Sequence, residues 1–206
     1  MIRMLLGLVV LSLAAPIAAQ NTPPPPIAAP ALIPVTVRVT LQTSAGAIVL
    51  LLEKERAPIT TTNFLRYVDQ KRFDGMSFYR ALKVPYETPL GFIQAGTQND
   101  PKRVLSPIAH EPTSQTGLSH TDGAISMARW APGTATGDFT ILVGAIPSMD
   151  ASASDPGYAV FGHVVEGMDV VHKILNSPTS PTAGQGVMKG QMLSPVIRIL
   201  TARRTP

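Results

Sequence analysis

The chain has 206 residues, a formal net charge of +4 and no cysteine. Without thiols it has no disulfide framework, no thiol redox chemistry and no thiolate metal site. Its basic residues are scattered, with no long run of Lys and Arg, which argues against a nucleic-acid partner or an anionic membrane surface.

Residues 1–19 read as an export signal. Arg3 supplies a positive start, Met4 to Ala15 is almost purely apolar, and Pro16-Ile17-Ala18-Ala19 ends in small residues suited to cleavage after Ala19. The apolar run is short for a membrane span of about 20 residues, so no membrane insertion is expected once the signal is removed. The expected destination is the periplasm, with full secretion left open. Residues 20–34 hold the Pro23-Pro24-Pro25-Pro26 run; consecutive prolines lack N–H donors and favour extended geometry, the mark of a linker. The folded domain is then residues 35–206, enough for one ordinary hydrophobic core.

Val35 to Gln42 alternates β-branched and polar residues and predicts a strand. Thr43 to Gly46 turns the chain into a second strand, Ala47 to Leu52, forming a hairpin. Ala57 to Val68 predicts a helix, with Phe64, Leu65 and Val68 at helical spacing and Thr60 to Thr62 offering capping oxygens. Further strands are predicted at Ser77–Ala81, Gly91–Thr97, Ala124–Ala128, Phe139–Gly144, Ala159–Val164 and Ser194–Ala202, with a second helix over Gly167–Leu175. Two helices are too few for alternating βαβ units, so the fold class is mainly β, an antiparallel barrel or sandwich.

Two of these strands carry candidate chemistry. Simple alternation puts Phe78 on the face of Arg80, and Phe92 on the face of Gln94. A guanidinium and an amide over an apolar wall suit a site that grips and polarises a peptide. Neither group titrates near neutral pH, so such a site works by binding and electrostatics. The four histidines show no metal-ligand spacing, so no metal is expected. Ser126, Asp138 and His163 are the residue types of a hydrolase, but no Gly-x-Ser-x-Gly elbow accompanies them.

Four segments in order resemble the cyclophilin family of peptidyl-prolyl cis–trans isomerases: Phe78-Tyr79-Arg80, Gly91-Phe92-Ile93-Gln94-Ala95-Gly96, Gly123 to Arg129, and Gly157 to Val171. The resemblance implies a closed eight-stranded antiparallel barrel capped by two helices, with a substrate groove on its outer face and no cofactor. By residue it implies that Arg80 is the catalytic arginine and Gln94 its groove glutamine. Phe92, Met127, Ala128, Arg129, Thr140, Met149 and Tyr158 would contact substrate. The implied partners are proline-containing segments of unfolded or exported proteins, bound by a monomer.

The sequence departs from the family pattern at three places. Thr140 stands where the proline pocket has a phenylalanine, Ser148 stands where the rim has a large aromatic residue, and the connection from Ala81 to Leu90 is longer than usual. Trp130 takes a position usually small or polar; an exposed peptide contact and a repacked core residue both remain open. Two functions fit: an exported prolyl isomerase, and a cyclophilin-like peptide-binding module or chaperone with weak or no catalysis.

Overall fold

The computed structural model describes residues 35–84 and 90–206. The signal and linker readings over residues 1–34, and the middle of the long Ala81–Leu90 connection, lie outside the described residues. Strands β1 (Thr36–Thr43) and β2 (Gly46–Glu53) form the expected hairpin, in register from Thr36↔Glu53 to Thr43↔Gly46. They are followed by helix α1 (Pro58–Asp69), then β3 (Ser77–Lys83) and β4 (Gly91–Gly96). The chain continues through helix α2 (Thr113–Thr116), β5 (Ala124–Met127), β6 (Phe139–Val143), β7 (Ala159–Glu166) and helix α3 (Met168–Leu175). Strands β8 (Thr179–Ser180) and β9 (Met192–Thr205) complete it.

The strand order β1-β2-β7-β5-β6-β4-β3-β9 closes through a β9–β1 pairing, and every pairing is antiparallel. This is the expected eight-stranded barrel; β8 is a two-residue spur on β9. Closure leaves the barrel itself no free edge for another chain to extend. The one-turn α2 was not anticipated, so the described residues hold three α-helices instead of two. Four residues, Thr-Ser-Gln-Thr, carry no apolar periodicity that could announce a helix.

Alternate residues of each strand fill the interior, among them Val39, Leu41, Ile48, Leu50, Ile93, Ile141 and Ile199, all with no exposed surface. An aromatic cluster plugs one end. Phe64 of α1 packs its ring centroid 5.0 Å from Phe73, 5.3 Å from Phe139 and 5.2 Å from Phe161. Such tilted and edge contacts favour the ring quadrupoles and fix α1 across the barrel mouth.

The start of α1 differs from the expected threonine cap. The helix begins at Pro58 with Ala57 at the N-cap, so Thr60 and Thr61 fall inside the first turn and are buried. The capping group is the buried carboxylate of Glu111, which accepts the Ile59 amide at 3.0 Å and the Thr60 amide at 2.6 Å. A negative charge at the helix N-terminus is favourable there because it meets unpaired N–H groups and the positive dipole end.

Candidate active site

A bulge in β3 sets the site. Phe78 pairs with Ala95 and Arg80 with Gln94, so Tyr79 is an extra residue with no counterpart on β4. Such an insertion breaks the two-residue alternation. Phe78 therefore enters the core with no exposed surface, while Arg80 turns to the outer face. The expectation that Phe78 shares the face of Arg80 is thus corrected. On β4, which is regular, Phe92 and Gln94 do share that face.

The registers then line up one row of side chains across the outside of the barrel: Arg80 (β3), Gln94 (β4), Thr140 (β6), Ser126 (β5) and Val160 (β7). Arg80 donates from Nη1 to Gln94 Oε1 at 2.9 Å and from Nε to Gln191 Oε1 at 2.8 Å. Its guanidinium carbon lies 5.1 Å from the centre of the Phe92 ring, within cation–π range. Partial burial pulls Arg80 below the usual arginine range, yet a guanidinium remains charged at neutral pH. Beside it, burial pushes the Tyr79 hydroxyl well above the ordinary phenol value, so it stays neutral.

Arg129 is also tied down. Its Nε donates to the Gly157 carbonyl at 3.1 Å, Nη2 bonds the same oxygen, and its guanidinium lies 4.8 Å from the Tyr158 ring centre. Arg129 thus braces the loop that carries Tyr158. Ala128, Met149 and Tyr158 are partly exposed. Met127 lies elsewhere: it is 2% exposed and belongs to the interior cluster, because its neighbours in register are Phe139 and Ala159, both core residues. It lines the barrel interior and not the substrate face. Trp130 is 81% exposed, which resolves its two readings in favour of a surface side chain.

Thr140 sits at its expected place in the row but is 5% exposed, its hydroxyl turned to the Ser126 carbonyl at 3.4 Å. Beside it, starting at its register neighbour Ser126, lies a group that the sequence did not point to. His120 Nε2 is 2.9 Å from Ser126 Oγ, and His120 Nδ1 is 2.6 Å from Asp150 Oδ1. Burial is the main influence on His120 and lowers its pKa, against the pull of Asp150, so the ring is neutral near pH 7. A carboxylate only accepts, so Nδ1 carries the proton and Nε2 accepts from Ser126. The order Ser–His–Asp resembles a nucleophilic triad, but Ser126 has no exposed surface and meets no substrate. The hydrolase residue set considered from sequence included Asp138 and His163; the structure joins His120 and Asp150 to Ser126 instead. His120 and Asp150 are 30 residues apart with no motif between them, so no local signal marked them.

Asp138, next to the row, is pushed above the usual aspartate range by burial, offset in part by the Gln98 and Thr97 amides. Gly96 faces it at φ +139°, where a Cβ would come within 2.1 Å of Asp138 Oδ1. Glycine is therefore required here both by backbone angle and by space. A cavity of about 390 Å³ lined by Glu53, Arg56, Asp122 and His163 contains none of the expected site side chains.

The outer face of the closed barrel thus presents a guanidinium, an amide and a phenyl ring side by side. Residues 38–203 match the family model described as cyclophilin type peptidyl-prolyl cis-trans isomerase/CLD. A peptidyl-prolyl cis-trans isomerase of Acinetobacter baylyi is 40% identical over 146 residues, covering 69% of this chain and 73% of that protein. Peptidyl-prolyl cis-trans isomerase B of Escherichia coli is 35% identical over 144 residues, covering 66% and 82%. A cyclophilin type isomerase of Cryptosporidium parvum, solved in the presence of the dipeptide Ala-Pro, superposes with a TM-score of 0.67 at 19% identity, covering 82% of this chain and 99% of that one. This last likeness establishes the shared fold. The chain belongs to the cyclophilin-type peptidyl-prolyl cis–trans isomerase family.

Proposed function

We propose that this chain speeds the folding of exported proteins by twisting X–Pro amide bonds at Arg80. Rotation about a peptide bond faces a barrier of about 18–20 kcal/mol because the nitrogen lone pair is conjugated. Uncatalysed X–Pro exchange takes tens to hundreds of seconds. A catalyst needs no nucleophile; it must bind the twisted amide better than either planar form. Twisting localises the lone pair on the prolyl nitrogen, and a fixed guanidinium N–H stabilises it there. The observation that carries this reading is the Arg80–Gln94 bond of 2.9 Å, made over the Phe92 ring. The apolar run from Met4 to Ala15 behind Arg3 supports export to the periplasm.

The departure at Thr140 favours a second reading, a module that holds extended peptides with little catalysis. A buried threonine hydroxyl offers a proline ring far less apolar contact than a phenyl group. One assay separates the two. Catalysed isomerisation of an Ala-Pro peptide, lost in Arg80→Ala, supports the enzyme; peptide binding without acceleration at high protein concentration overturns it. Cell fractionation, with the chain found only in the cytoplasm, would defeat the export reading.

A further inference from the structure

Arginines with carboxylate partners recur on this barrel: Arg203 with Asp74 at 2.7 Å, Arg204 with Asp69 at 2.6 Å and Arg38 with Glu166 at 2.6 Å. Arg80 is held differently, by the side-chain oxygens of two neutral amides. One of these, Gln191, lies 111 residues away, just before β9. It was not among the residues that the sequence brought forward.

We propose that Gln191 is a positioning residue for Arg80: with Gln94 it fixes the guanidinium plane and leaves Nη2 to face the prolyl nitrogen. This rests on the isomerase reading above. Gln94 alone bonds Nη1 and leaves the guanidinium free to swing; a second acceptor at Nε removes that freedom. Among the described residues Nη2 has no hydrogen-bond partner. Because both supports are neutral, the charge of Arg80 is not offset by a carboxylate and remains available to the substrate.

Gln191 is itself rigid. Its Nε2 donates to the Val187 carbonyl at 2.7 Å, so the amide can only present oxygen to Arg80. Its backbone N–H donates to Met188 O at 3.1 Å, and its carbonyl accepts the Ala81 N–H at 3.0 Å. The residue is therefore anchored both to the turn before β9 and to the strand that carries Arg80.

The test measures kcat and KM on an Ala-Pro peptide together with hydrogen exchange of the Arg80 Nε–H by NMR. Gln191→Ala is expected to lower kcat about 10- to 100-fold with KM within about twofold, as misorientation of a catalytic group does. The same variant should speed Nε–H exchange while the melting temperature stays close to wild type. Gln191→Glu should keep the Nε–H protected yet still lower kcat, since a carboxylate holds the geometry but offsets the charge. Gln185→Ala, in the same turn but without a bond to Arg80, serves as the unchanged control. Wild-type Nε–H exchange in Gln191→Ala would overturn the proposal, as would unchanged kcat. If the wild-type protein does not isomerise the peptide, the reaction assigned above fails, while Nε–H exchange still reports whether Gln191 holds Arg80.

Discussion

On the β3–β4–β9 side of the site, Arg80 is held by Gln94 and Gln191 over the Phe92 ring, and its exposed edge points outward. On the β5–β6 side the same outer-face row continues as Thr140 and Ser126, both buried: Thr140 donates to the Ser126 carbonyl, and the Ser126 hydroxyl bonds His120, which bonds Asp150. One side spends its polar groups on presenting a charge to a ligand; the other satisfies its polar groups internally. The contrast teaches that adjacent residues in one cross-strand row can serve chemistry or scaffold, depending on whether their hydrogen bonds end inside the protein.

The largest effect is expected from removing the charge of Arg80. Arg80→Ala is expected to reduce kcat/KM for an Ala-Pro peptide by about 100- to 1,000-fold, by analogy with loss of one preorganised donor worth about 2.7–4 kcal/mol. Arg80→Lys should recover little, because an ammonium on a flexible stem lacks the planar fork that the two glutamines orient. On the other side, Ser126→Ala should act on stability instead of turnover. It leaves the buried Nε2 of His120 without its donor and is expected to cost about 1–3 kcal/mol in urea unfolding.

Thr140→Phe sharpens the contrast by giving the scaffold side an apolar surface; peptide KM should fall about tenfold, close to 1.4 kcal/mol. An unchanged KM would show that the proline ring is held elsewhere. The smallest effect is a pH slope. The folded pKa of His120 lies below its unfolded value, so the unfolded chain binds the extra proton first. This group's contribution is therefore intact above the unfolded value of about 6.5 and is lost as pH falls from there towards the folded value. Unfolding free energies measured between about pH 7 and 5 should decline in the wild type and decline less in His120→Gln.

The barrel strands were legible from alternation, as in Val35 to Gln42, or from short apolar runs bounded by glycine, as in Ala159 to Val164. Arg80 and Gln94 were legible through the segments that resemble the family. Phe78 was misplaced because alternation assumes a regular ladder, and the extra residue at Tyr79 appears only when β3 is laid against β4. Met127 was misplaced because all four residues of β5 are buried, so its pattern does not distinguish the inner face from the outer. The cap of α1 was missed because Glu111 reaches it from 51 residues away.

The mainly β fold, the order of the strands along the chain and the arginine–glutamine pair are written in local periodicity and short motifs. The meeting of Gln191 with Arg80, the link of His120 to Ser126 and Asp150, and the bond of Thr140 to the Ser126 carbonyl arise only on folding. The physical reason is that a hydrogen bond needs its partners within about 3 Å, and residues 30 or 111 positions apart reach that distance only once the strands have closed into a barrel.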